Sequence, residues 1–148
     1  MSEMKNGRYE EAGDIYWFKG GKLHREDGPA LEWPDGTKFW FINGQNHREN
    51  GPAIEWANGD KRWYFNGNLH REDGPAIESS NGTRMWYFNG LCHREDGPAY
   101  EGTLGEMWFL DDVRYTEDEF KIQLAKNQLN EKLHVTLSPS PSIKKGKI

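Results

Sequence analysis

Four copies of one charged heptad are where chemistry could reside in this chain. HREDGPA begins at His24, recurs as HRENGPA at His47, and returns as HREDGPA at His70 and His93, every step being 23 residues. A histidine beside arginine, glutamate and aspartate offers metal ligands or an acid–base pair. Cys92 directly before His93 offers a nucleophile next to a base, and Asp111-Asp112 offers paired carboxylates. Geometry argues against each. If every heptad belongs to its own hairpin, successive copies lie two strands apart, about 10 Å, whereas zinc holds its ligands about 2 Å from itself. Nor do sequence neighbours make a dyad, which needs spatial pairing and an orienting third group. Cys92 occupies the slot filled by Leu23, Asn46 and Leu69, a variable position, and Asp111-Asp112 stands where other units have an Asn-Gly turn. Asn50 in place of Asp27 cannot transfer a proton. It can, like Asp, bond its own backbone two residues on and set a turn ahead of Gly-Pro. The heptad is therefore expected to be a structural corner, an Asx-type turn with Arg and Glu paired between units. A ladder that holds a ligand is the alternative. No phosphate-cradling Gly loop, G-x-S-x-G or H-E-x-x-H occurs, so no catalytic residue, metal site or cofactor is expected.

The elements that position the heptads follow the same clock. Trp17, Trp40, Trp63 and Trp86 recur with it, and each unit carries two Gly-containing turn signals. One set is Asp35-Gly36, Asn58-Gly59 and Asn81-Gly82; the other is Asn43-Gly44, Asn66-Gly67 and Asn89-Gly90. Such dipeptides between aromatic and β-branched segments predict hairpins. A two-residue type I′ turn at Asn58-Gly59 would set Ile54 opposite Trp63 and Glu55 opposite Arg62. The same register pairs Leu31 with Trp40 and Ile77 with Trp86, giving an aliphatic–Trp seam joined by Ile42, Phe65 and Phe88. The opposite face then carries Glu32, Glu55 and Glu78 with Phe41, Tyr64 and Tyr87. These six, with Arg25, Arg48, Arg71 and Arg94 of the heptads, are the candidate binding residues.

Residues 1–14 read as an N-terminal segment with a degenerate half-repeat, since Ala12-Gly13 and Gly20-Gly21 keep the turn register. The array covers 15–115. Thr116-Glu117-Asp118-Glu119 is a capping box, and Phe120, Leu124, Ala125, Leu129 and Leu133 recur at helical spacing. Residues 116–134 are thus expected to form a helix laid over the last hairpin. The basic tail 135–148, with Ser138-Pro139-Ser140-Pro141-Ser142 and its lysines, reads as disordered.

Units such as Trp63-Tyr64-Phe65-Asn66-Gly67 with His70 and Gly74 resemble the MORN repeat, over residues 15 to 112 or so. The resemblance implies hairpins stacked into one elongated twisted sheet. Where the ordinary repeat has Gly-x-Gly after the turn, this chain has the longer, charged HREDGPA, a variant that resembles units in proteins of phages and large viruses.

Charge and composition bound the function. The formal charge is −5, and the tail beyond Leu137 holds Lys144, Lys145 and Lys147 with no acid, so residues 1–137 carry −8. An acidic body is a poor partner for nucleic acid. No apolar run reaches membrane-spanning length, and Met1–Gly7 lacks the apolar core of a secretory signal. A single cysteine excludes an internal disulfide and suits a reducing cytoplasm. The expected protein is all-β, a single-layer stack of hairpins with one C-terminal capping helix. It binds another protein without catalysis, and self-association is a further expected contact. The alternative is a phage or viral inhibitor that blocks a host enzyme's nucleic-acid site or sequesters a small charged ligand.

Overall fold

Each 23-residue unit makes two hairpins, because its two Gly-containing dipeptides turn the chain in different ways. At Asn43-Gly44, Asn66-Gly67 and Asn89-Gly90 both residues have positive φ (51° and 77°, 48° and 80°, 48° and 82°). The flanking residues pair directly, as Phe65 does with Asn68. These are the two-residue type I′ turns. At Asn58-Gly59 only Gly59 has positive φ, 94°. Gly59 N–H donates to Trp56 O, and Trp56 N–H donates to Asp60 O. That is a three-residue loop, a type I turn closed by a left-handed glycine. Asn58 Oδ1 accepts the Asp60 N–H at 2.9 Å, and Asp35 and Asn81 accept in the same way from Thr37 and Thr83.

The longer loop corrects the expected register. Ile54 pairs with Arg62 and Glu55 with Lys61, one residue away from the Ile54–Trp63 pairing. Leu31 likewise pairs with Phe39, and Ile77 with Met85. Because side chains alternate faces along a strand, a one-residue shift exchanges half of each face. The aliphatic residues share their side with Phe39 and, two residues further, Phe41, whose rings are stacked 6.4 Å apart. The glutamates share theirs with the tryptophans.

The structure is a computed structural model and describes residues 3–137. Among these residues, twelve strands form one long, open antiparallel sheet. It starts at β1 (Gly7–Glu11) and β2 (Asp14–Lys19) and ends at Val113–Tyr115. Between them run paired two-residue strands such as Ile54–Glu55 and Lys61–Arg62. The second hairpins, Phe41–Ile42 with Gln45–Asn46 and their counterparts in later units, form a row beside the sheet. Trp17, Trp40, Trp63 and Trp86 join the two rows. Trp63 N–H donates to Ala76 O in the next strand, while its carbonyl accepts His70 N–H. The core is correspondingly thin. Ala30, Ala53, Ala76 and Ala99, the last residue of each heptad, are fully buried, and few large side chains are.

One ladder across the sheet alternates in charge: Glu32, Lys38, Glu55, Lys61, Glu78, Arg84, Glu101. Cross-strand pairs of opposite sign contribute roughly 0.2–1 kcal/mol each, at the lower end here because the side chains are partly solvated.

The helix α1 (Glu117–Leu137) begins as the capping box requires. Thr116 N–H donates to the Glu119 carboxylate and Glu119 N–H to Thr116 Oγ1. It runs three residues past the expected boundary at 134. Phe120 alone among its residues is buried; Leu129 and Leu133 are exposed. Only the first turns of the helix cover the last hairpin, so the apolar spacing further along does not mark a packed face. The Ser-Pro segment and the lysines of the tail lie outside the described residues.

Candidate functional site: the heptad loops and the grooves between them

Each heptad folds around its arginine. The Arg48, Arg71 and Arg94 guanidinium carbons lie 3.9, 4.0 and 3.9 Å from the ring centres of Trp40, Trp63 and Trp86, and Arg25 lies 4.3 Å from that of Trp17. On its other side the guanidinium meets the heptad glycine: a Cβ on Gly74 would sit 3.0 Å from Arg71 Cζ. Glycine is favoured here by close approach to the guanidinium and not by its φ, which is not positive. Arg71 Nη1 donates to Pro75 O and to Glu78 Oε1, both at 3.0 Å, and Nε donates to Asp73 Oδ1 at 2.9 Å. Arg94 repeats the set with Pro98, Glu101 and Asp96. Arg48 keeps Pro52 and Glu55, and Arg25 keeps Pro29 and Asp27. The arginine is therefore a clasp that ties its own loop to the tryptophan behind it and the glutamate seven residues ahead.

Two expectations are corrected by this geometry. The Arg–Glu pair forms along the chain rather than between units. The heptad aspartate contacts Arg Nε and contributes its charge, while the Asx turns occur at the three-residue loops. The arginine beside Asp27, Asp73 and Asp96 holds each carboxyl below the ordinary value of 3.8, chiefly by its hydrogen bond.

The histidine is an architectural acceptor. Nδ1 of His24, His47, His70 and His93 takes the backbone N–H of Asn43, Asn66, Asn89 and Asp111, the first residue of the next type I′ turn, at 2.9–3.1 Å. Turns that would otherwise leave a donor unpaired are closed from the preceding unit. The Asp111 carboxylate also lies 3.1 Å from His93 Nδ1, but a backbone N–H can only donate, so Nδ1 is the acceptor and carries no proton. The ring proton is then on Nε2, which faces Glu26, Glu72 and Glu95 at 3.5, 3.7 and 4.0 Å in the respective heptads. Among the described residues no three His, Cys, Asp or Glu side chains are grouped as metal ligands would be. Cys92 is buried, and burial pushes its thiol up to about 11. His93 Nδ1 is engaged with Asp111 and does not activate it.

Of the expected binding residues, Glu55 and Glu78 sit in the charge ladder and are held by Arg48 and Arg71. Glu32 pairs with Lys38. Phe41, Tyr64 and Tyr87 are half-buried on the opposite side, in the second hairpins, paired with Asn46, Leu69 and Cys92. Burial raises the Tyr87 hydroxyl above its ordinary 10.0. The structure does not bring these aromatics onto one face with the glutamates.

Sequence reasoning missed the concave surface. Successive heptad loops enclose three grooves of about 590, 850 and 860 Å³. The central one is floored by Trp63 and Phe65, with Glu49 on one wall and Glu72 and Asp73 on the other. The next repeats it with Trp86, Phe88, Glu95 and Asp96. Phe65 and Phe88 remain 42% and 44% exposed although histidine rings lie 4.5 Å away. Glu72 and Glu26 project into solvent at 80% and 78%. No protein-family model matches the chain, and no curated protein does.

Proposed function

We propose that this is a non-catalytic binding protein of MORN-like build that holds a basic segment of another protein along the grooves between its heptad loops. One observation carries the reading. The fold engages Arg71, Asp73 and His70, yet leaves Glu72 projecting at the rim of an apolar, aromatic floor. Lysine or arginine side chains would place their heads against the glutamates and lay their apolar stems on Phe65 and Phe88. Neighbouring grooves are one hairpin apart, about 10 Å, which an extended chain spans in three residues. Weak contacts repeated along an array add through effective concentration.

An inhibitor that covers the basic, nucleic-acid-binding site of an enzyme is a variant of the same reading, favoured by the same row of carboxylates. A cytoplasmic setting and a phage or viral source belong to this proposal, supported by the single reduced cysteine and the HREDGPA likeness. Among the described residues, no helix is long and apolar enough to cross a membrane.

Titration with lysine-rich peptides, followed by tryptophan fluorescence, tests the proposal. Binding should be saturable and weakened by salt, and should be lost in Glu49→Gln/Glu72→Gln/Glu95→Gln at unchanged melting temperature. Equal binding by that variant would sink the idea.

A further inference from the structure

The two ends of the sheet differ. At the C-terminal end the last strand, Val113–Tyr115, is three residues long and leads directly into α1. At the other end β1 is five residues long, exposed throughout, and pairs only with β2. Its register with β2 is unbroken from Gly7↔Phe18 to Glu11↔Asp14, so no bulge twists the edge away. The strand contains no proline to block pairing, and its charges, Arg8, Glu10 and Glu11, are of both signs, so they select a register for an added strand.

The turn fixes which backbone groups are free. A two-residue loop at Ala12-Gly13 makes Glu11↔Asp14 a hydrogen-bonded pair, and pairs then alternate. Tyr9 and Gly7 thus direct their N–H and C=O toward β2, while Arg8 and Glu10 direct theirs outward. Trp17, opposite Arg8, agrees: its N–H turns the other way, to Ala30 O at 2.7 Å.

Only certain registers let two such edges meet antiparallel, because outward-facing residues must oppose one another. Arg8 against Arg8 or Glu10 against Glu10 sets like charges together. Arg8 against Glu10 sets opposite charges together twice and closes the two-fold on Tyr9. On the Tyr9 side the aromatic row of Tyr9, Tyr16 and Phe18, with ring contacts of 5.6 and 6.0 Å, would continue into the second copy. Lys5 Nζ lies 5.3 Å from the Tyr9 and Phe18 rings on that side, and Arg8 bonds Glu10 of its own strand at 3.0 Å when alone.

We propose that two copies of this chain pair antiparallel through β1, with Arg8 of each opposite Glu10 of the other. The inference is independent of the groove reading. Sedimentation velocity over a concentration series tests it. The wild-type chain should show a monomer–dimer equilibrium. Arg8→Glu and Glu10→Arg, each of which opposes like charges, should be monomeric with unchanged melting curves, since both side chains are exposed. An equimolar mixture of the two should form the heterodimer, and the exchanged variant Arg8→Glu/Glu10→Arg should regain the homodimer. A wild-type chain that stays monomeric overturns the proposal. So does a dimer indifferent to both reversals, or a mixture that fails to associate.

Discussion

Arg71 shows how one side chain can organise a repeat. It stacks on Trp63, bonds Pro75 O and Glu78, and lies so close to Gly74 that a Cβ there would crowd the guanidinium at 3.0 Å. Arg71→Ala should therefore cost about 2 kcal/mol, more than an exposed ion pair, because a partly desolvated cation–π contact and a charged hydrogen bond are lost together. Gly74→Ala should destabilise in the same direction despite its ordinary φ; a melting curve like wild type would mean the clasp is loose. At the histidines, ¹⁵N spectra should show Nδ1 as the unprotonated nitrogen of His47, His70 and His93. Five aspartates tie part of the stability to pH. Asp27, Asp73 and Asp96 lie below 3.8 because of their arginines, and Asp35 and Asp60 because of backbone N–H groups of Thr37 and Ser80. A depressed carboxyl stabilises the fold above its unfolded value and ceases to as pH falls through the folded one. Thermal stability should be flat above about pH 5 in this respect and decline below the 3.8 of a free aspartate. A stability that stays level as pH falls below 3.8 would contradict this. The clasp went unread in the sequence because it is a diagonal contact: the Asn66-Gly67 hairpin, which pairs Tyr64 with Leu69, returns His70 to Trp63 and so brings Arg71 beside that ring.

At the scale of the hairpin, identical dipeptides have different conformations. Asn66 is held at φ 48°, whereas Asn58 is not left-handed. A left-handed non-Gly residue costs roughly 1–2 kcal/mol, and asparagine tolerates it better than alanine. Asn66→Ala should accordingly cost about 1 kcal/mol more than a change at an ordinary turn site, while Asn58→Ala should lose only its Asx bond. Equal melting temperatures for the two variants would contradict the turn assignment. The sequence made the repeat period, the hairpins and the Thr116–Glu119 capping box legible, because each depends on local chemistry. It misled on register, because Asn-Gly supports both a type I′ turn and the last two positions of a three-residue loop. Pro34 held the answer. In a two-residue hairpin at Asp35-Gly36 it would close the ladder, where an N–H is needed and proline has none. In the observed turn, closed by Gly36 N–H to Trp33 O, it sits where its fixed φ favours type I. With the register wrong by one residue, Glu55 and Tyr64 were set on one face. The grooves, which depend on how neighbouring loops stand apart, could not be foreseen.

For the whole molecule, an array with so thin a core depends on its junctions. Trp17, Trp40, Trp63 and Trp86 are half-buried between the sheet and the row of second hairpins, each covered by a clasping arginine. Trp63→Ala should cost about 3 kcal/mol, the lower end for large aromatics, and a small array loses much of its stability with it. On the proposed function, the heptad divides into residues that build the array and residues that face a partner. Thermal melting of two triple variants tests it most directly: Arg48→Gln/Arg71→Gln/Arg94→Gln against Glu49→Gln/Glu72→Gln/Glu95→Gln. The arginine set should lower the melting temperature by more than about 5 °C, while the glutamate set should leave it within about 1 °C of wild type. A glutamate set that unfolds the array, or an arginine set that leaves it intact, would contradict that division.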